Sequence, residues 1–185
     1  KFNAKTIDAK IFSKGKLIEL EFIKTQISLN SFIQNKLVAS QIEISTKLTL
    51  LKNFVSFVRS INNKPELFFL EQFIKKGYLI VNLNFNFDEF GKVKQDYKIT
   101  GSLKDGKISL FNNNKFKKIN FLFNITGKNF NFRDISFDAK DINFLSDELI
   151  VKKNKKDYFI NGTLKNKKTY LNNELLKIIK LKYAQ

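Results

Sequence analysis

Apolar and polar residues alternate along much of the chain. From Leu79 to Phe87 every odd position is apolar, and three of the four even positions are Asn. Successive side chains of a β-strand point to opposite faces, so this segment predicts a strand with one apolar and one polar face. At ~3.3 Å per residue it would span roughly 30 Å, which is long for a globular strand. Residues 97–103, 119–125 and 158–164 show the same pattern.

Shorter alternating stretches around Ile18–Phe22 and Ile42–Ile44 make residues 1–48 a β-rich N-terminal segment. Three four-residue segments that contain Gly, at 89–92, 104–107 and 126–129, predict tight connections between antiparallel neighbours. The alternation changes phase at Arg133–Asp134, which predicts a turn or a β-bulge there.

Residues 49–77 predict a helical hairpin between the two β regions. Apolar residues recur at helical spacing in Leu50–Ser60, and a second helix is expected over Pro65–Lys76. Proline suits the first turn of a helix, and Gly77 would follow the end of this one. A basic amphipathic helix is predicted over Asn173–Tyr183, within a C-terminal segment 172–185 that we expect to continue into missing sequence.

One short cassette occurs twice. Residues 96–104 and 157–165 are identical at six of nine positions, at an offset of 61 residues, and both contain Tyr-x-Ile-x-Gly followed by Ser or Thr, Leu and Lys. Repeats of one supersecondary unit predict a stacked, nearly linear architecture in which each unit packs on the next. We therefore expect residues 78–171 to form one antiparallel sheet with an internal repeat.

The composition limits the chemistry of the chain. It has 185 residues and lacks His, Cys, Met and Trp, which removes thiol nucleophiles, histidine bases and the usual zinc sites. We therefore expect no enzyme, no cofactor and no metal. The formal charge is +17, but Arg59 and Arg133 are the only arginines. A surface built for phosphate groups is expected to use more Arg, so we expect no nucleic-acid partner.

The chain contains no apolar stretch near the ~20 residues that a membrane-spanning helix needs. Because it begins at Lys1 rather than Met, we expect it to be a piece of a longer protein.

The two cassettes, at 97–104 and 158–165, and the region from Lys76 to Leu110 resemble the AsmA-like superfamily. The similarity extends over about Ser28 to Leu171. The resemblance implies a mainly β fold with α insertions: a long curved antiparallel sheet, called a repeating β-groove, with a helical hairpin and a C-terminal helix. It also implies an envelope protein of Gram-negative bacteria that is anchored in the inner membrane, crosses the periplasm and has other envelope proteins as partners. Such proteins are thought to conduct phospholipid acyl chains towards the outer membrane. This chain lacks the membrane anchor of that family, so the resemblance identifies it as a fragment.

An apolar strand face must be covered by protein or by lipid. Burial of each acyl CH₂ is worth ~0.8 kcal/mol, so a lining without specific bonds can hold an acyl chain and let it slide. The candidate lipid-binding residues are the apolar positions of the alternating strands: Leu79, Val81, Leu83, Phe85, Phe87, Tyr97, Ile99, Leu103, Ile119, Phe121, Phe123, Ile125, Tyr158, Ile160 and Leu164.

Other interpretations stay open at this point. The same residues could form a sealed core in a β-rich structural or interaction module. The net charge alone would suit a binder of nucleic acid or another polyanion.

Overall fold

A computed structural model describes residues 2–27, 39–88, 90–110, 115–140, 142–154 and 157–166. These residues form a long, curved, unclosed antiparallel sheet of twelve strands together with two helices, which confirms the predicted fold class. The helix predicted over Asn173–Tyr183 lies outside the described residues.

The strands follow the alternating segments and extend them in both directions. Their bounds are β1 (Phe2–Ile7), β2 (Lys10–Ser13), β3 (Lys16–Ile27), β4 (Ala39–Thr46), β5 (Thr49–Leu50), β6 (Ile74–Asn86), β7 (Lys98–Ser109), β8 (Lys115–Thr126), β9 (Asn129–Ala139), β10 (Ile142–Asn154), β11 (Asp157–Gly162) and β12 (Lys165–Asn166). Because most neighbours in the sheet are also neighbours in the sequence, short connections suffice.

The sheet has the strand order β1-β3-β4-β6-β7-β8-β9-β10-β11. Three short strands pair beside this path: β2 with β3, β5 with β6, and β12 with β10. The two ends of the path, β1 and β11, do not pair with each other. The sheet is therefore open, and its end strands are exposed along their whole length.

Two helices, α1 (Leu51–Ile61) and α2 (Pro65–Phe73), join β5 to β6. Pro65 occupies the first turn of α2, as predicted. The predicted end at Lys76 is wrong, because α2 ends at Phe73 and β6 begins at Ile74. Gly77 lies inside β6, where an added Cβ would be 3.2 Å from the Cα of Gly106 on β7. This glycine allows two strands to approach closely and does not end a helix.

Irregularities at Gly77, Asp105, Lys118 and Asp134 cross four consecutive strands, β6 to β9. Each has a positive φ, and each lies beside a shift of the pairing register. The bulge predicted at Arg133–Asp134 is confirmed. The tight connection predicted at 104–107 is wrong, because β7 runs through these residues with a bulge. Bulges bend strands and increase their twist, so this line accounts for the curvature of the sheet.

The connection predicted at 126–129 is confirmed. Strand β8 ends at Thr126 and β9 begins at Asn129, with Gly127 at a φ of 55° between them. Such a conformation favours glycine because a Cβ would be strained there.

The core lies between α1 and one end of the sheet. Phe57 packs on Ile18 and Leu20, while Leu51 and Phe54 pack towards Leu79 and Val81. The amphipathic helix α1 therefore covers the apolar face over β3 and β6.

Candidate functional site: the apolar face of the sheet

One uninterrupted row of apolar side chains crosses the sheet. The pairing register joins one residue from each of eight strands, and each member is directly opposite the next. We call this set the apolar row: Ile23, Ile44, Leu83, Ile99, Ile125, Phe130, Val151 and Ile160. With strands ~4.8 Å apart, its seven steps extend over about 34 Å.

A second row runs beside the first and contains two glycines. Val81, Gly101, Phe123, Phe132, Leu149 and Gly162 are opposite one another in register. Each glycine leaves space for a large side chain on the neighbouring strand. A Cβ at Gly101 would be 2.5 Å from Cζ of Phe123, and a Cβ at Gly162 would be 2.3 Å from Cδ2 of Leu149. The ring of Phe121 meets that of Phe132 edge to face at 5.4 Å.

The two copies of the cassette contribute equivalent residues to these two rows. Ile99 and Ile160 belong to the apolar row, and Gly101 and Gly162 belong to the second row. The two copies lie on β7 and β11, four strands apart in the sheet. The repeat therefore places the same residue types at the same heights on the same face.

The opposite face is mainly polar. The corresponding row there consists of Ser45, Asn82, Thr100, Asn124, Asn131, Ile150 and Asn161. Side-chain hydrogen bonds link neighbouring strands on this side: the Gln41 amide donates to Oδ1 of Asn84 at 2.9 Å, and the Asn131 amide donates to Oε1 of Glu148 at 2.7 Å. The alternation in the sequence thus produces one polar and one apolar face of the sheet.

Cover over the apolar face decreases from β6, beneath α1, to β11 at the end of the sheet. Beneath α1, the side chains of Leu79, Val81 and Leu103 are 2–6% exposed. Beyond β7, Ile125 and Phe130 are half-buried, and Ile160 on β11 is 71% exposed. Among the described residues, the helices pack on β2, β3, β5, β6 and each other, and neither makes comparable contact with β8–β11. The described part of the face is therefore covered beneath α1 and open towards β11.

Most of the predicted lining residues share this face. They are Leu79, Val81, Leu83 and Phe85 on β6, Ile99 and Leu103 on β7, Ile119, Phe121, Phe123 and Ile125 on β8, and Tyr158 and Ile160 on β11. Leu79, Val81 and Leu103 are buried under α1, so they belong to the core more than to an open surface.

Three predicted lining residues lie outside regular strands. Tyr97 precedes β7, its hydroxyl donates to the Gly127 carbonyl at 3.1 Å, and its ring is 6.3 Å from that of Phe85. Phe87 follows β6 and forms a single bridge to Val93. Leu164 lies in the link between β11 and β12 and is exposed.

Strands β9 and β10 complete the face with residues that the prediction left out, namely Phe130, Phe132, Leu149 and Val151. Alternation at Phe130 and Phe132 gave a signal for the first pair. On β10 the outward Ile150 separates Leu149 from Val151, so the run is apolar throughout and shows no period of two.

Charged groups lie at the rim of the open end. Val151 is the last apolar member on β10, and two residues later Lys153 places its Nζ 5.4 Å from the centroid of the Tyr158 ring. Such a contact leaves the ammonium group near water while its stem covers apolar surface. The apolar surface near β11 is therefore bordered by the positive charge of Lys153.

No protein-family model, curated protein or solved structure matches this chain. Within the described residues, neither helix has the length and apolar character required to cross a bilayer.

Proposed function

We propose that this protein is a non-enzymatic lipid-handling module that holds phospholipid acyl chains on the apolar face of its open sheet. The observation that carries the proposal is the apolar row, which continues through β8–β11, where neither described helix makes contact comparable to that over β3 and β6. An open apolar surface in water gains free energy from any hydrocarbon that covers it.

The dimensions of the open part suit one acyl chain. From Ile125 on β8 to Ile160 on β11 the row crosses three strand spacings, about 14 Å. Two opposed acyl chains fill a hydrocarbon core of ~30 Å, so one chain occupies about half of that. With ~0.8 kcal/mol for each buried CH₂, partial burial of one chain provides several kcal/mol.

The lining favours sliding over fixed binding. Ile125, Phe130 and Val151 offer only hydrocarbon to a ligand, so no hydrogen bond has to break when a chain moves along the row. The proposal extends to conduction of lipid between membranes and to a place in the cell envelope, as a segment of an AsmA-like protein anchored in the inner membrane. The support for that extension is the twice-occurring cassette, whose copies occupy equivalent rows on β7 and β11.

Matched substitutions on β8 test the proposal. Ile125→Lys puts a charge into the apolar row, whereas Leu122→Lys puts the same charge on the opposite face, where Leu122 is 41% exposed. We expect phospholipid recovered with the purified protein, measured by mass spectrometry, to fall severalfold in the first variant and to stay unchanged in the second. Equal retention in both variants, or no lipid in the unsubstituted protein, would favour a structural module without a ligand.

A further inference from the structure

Helix α2 carries apolar side chains that nothing among the described residues buries. Five of its nine residues are Leu or Phe, yet none of the nine is buried. A helix this apolar is ordinarily found inside a core. Phe68, Phe69 and Leu70 are 45%, 51% and 39% exposed, and Ile61 at the end of α1 is 65% exposed. We call these four residues the hairpin patch.

The patch is held in place by contacts on its inner side. Arg59 of α1 forms an ion pair with Glu71 of α2, with Nε 2.7 Å from Oε2. The guanidinium of Arg59 also lies 5.6 Å from the centroid of the Phe68 ring, which meets the Phe69 ring edge to face at 5.8 Å. The two helices are thereby fixed to each other, and the apolar side chains around α2 are presented on a formed surface.

The charge around the patch is positive. From Arg59 to Lys76 there are four basic and two acidic side chains, a net charge of +2, and Arg59 and Glu71 pair with each other. Lys64 immediately precedes α2, and Lys75 follows it by two residues. Helices that lie in the headgroup region of a bilayer combine Phe and Leu on one face with Lys on the other. In α2 the Lys residues instead flank the helix on both sides. Anionic headgroups attract each nearby Lys by about 1 kcal/mol.

From this combination we infer that the hairpin patch docks on the surface of an anionic phospholipid bilayer, with Phe68, Phe69 and Leu70 inserted at the level of the headgroups. The inference does not rest on the proposed function, because it concerns a different surface and needs no lipid on the sheet. The two are compatible, since α1 connects the patch to the covered end of the apolar face.

A single introduced indole tests the docking directly. The chain has no Trp, so Phe69→Trp reports from the patch alone, and Phe90→Trp, at a site 74% exposed in the β6–β7 connection, is the matched control. With vesicles of phosphatidylcholine and phosphatidylglycerol, we expect a blue shift and quenching by brominated lipid for Phe69→Trp and little change for Phe90→Trp. The inference is overturned if Phe69→Trp shows no change, or if both variants change equally.

Vesicle flotation separates the apolar from the electrostatic contribution. We expect Phe68→Ser with Phe69→Ser to lower the partition coefficient about a hundredfold, since each fully buried Phe contributes at least about 1.4 kcal/mol, which is a factor of ten. Phe12→Ser with Phe90→Ser removes two more exposed rings elsewhere and should leave binding unchanged. Lys64→Gln with Lys75→Gln should weaken binding about fivefold per Lys, and Lys115→Gln with Lys128→Gln should weaken it less.

Three further results would contradict the inference. They are unchanged flotation of the double Phe variant, equal binding to vesicles of phosphatidylcholine alone, and a blue shift of Phe69→Trp that grows with protein concentration in the absence of vesicles. The last result would assign the patch to contact between copies of the chain. Circular dichroism of every variant separates a loss of docking from a loss of folding.

Discussion

At the scale of single residues, Gly101 determines how tightly the centre of the sheet packs. A Cβ at this position would lie 2.2 Å from the Ile80 carbonyl oxygen and 2.5 Å from Cζ of Phe123. The Ile80 carbonyl belongs to the backbone of β6, so it can move only if the strand moves. The glycine therefore lets the Phe123 ring lie over the backbone of β7, as aromatic side chains do over glycines in neighbouring strands.

We expect Gly101→Ala to lower the free energy of unfolding by about 1–3 kcal/mol, the usual cost of forcing atoms into a packed site. Ser102→Ala, one residue further along β7 on the opposite face, should change it by less than about 0.5 kcal/mol. Urea unfolding monitored by circular dichroism measures both. A neutral Gly101→Ala would show that the Phe123 ring does not rest on this backbone.

At the scale of elements, polar side-chain contacts join the strands beside the bulges of β8 and β9. Near the bulges of β8 and β9, Lys118 Nζ is 3.0 Å from Oδ2 of Asp138, and the Asn143 amide donates to Oδ1 of the same carboxylate at 2.8 Å. These contacts join β8, β9 and β10 beyond the point where the register shifts. The hydrogen bond from Asn143 and, after it, the interaction with Lys118 hold the pKa of Asp138 below its ordinary value.

This shift has a definite effect on stability. Because the pKa of Asp138 is lower in the folded than in the unfolded state, its contribution to stability is present above the ordinary carboxyl pKa. That contribution is lost as the pH falls through the lower, folded-state pKa. We expect Asn143→Ala to raise the pKa of Asp138 and to reduce the acid-dependent loss of stability, as NMR titration of the carboxyl carbon and urea unfolding at several pH values can measure. An unchanged pKa in Asn143→Ala would contradict this assignment.

Element boundaries show what the sequence can predict and where it fails. The strands from Leu79, Ile99 and Ile119 and the turn at Gly127 follow from alternation and turn chemistry alone. Residues 104–107 look like a turn because Asp-Gly is a turn signal, but in β7 the same pair supplies the positive φ of a bulge at Asp105. Gly77 is predicted to follow a helix because glycine is common just after helix C-termini, but it lies inside β6. A glycine in the sequence indicates a positive φ or a close approach that other residues do not allow. Only the tertiary structure shows which of these applies and in which element.

At the scale of the whole molecule, the open sheet explains why one face is both core and candidate site. Under α1 the face is covered, so the buried Leu79 and Val81 stabilise the fold. Beyond β7 the same face continues with no comparable helix contact, Ile125 and Phe130 are half-buried, and Ile160 is exposed. The sequence predicts which residues form the apolar face, because they recur with a period of two. It does not predict which part of that face is buried, because burial depends on where a helix distant in sequence packs.

The central claim is that hydrocarbon occupies the apolar row over β8–β11. Photo-crosslinking measures this most directly, with a photoreactive phenylalanine analogue placed at Ile125 on the apolar face or at Leu122 on the polar face of the same strand. In the presence of phospholipid vesicles, the account predicts strong lipid adducts from position 125 and few from position 122, detected by mass spectrometry of the intact protein. Equal adducts at both positions, or none at position 125, would contradict it.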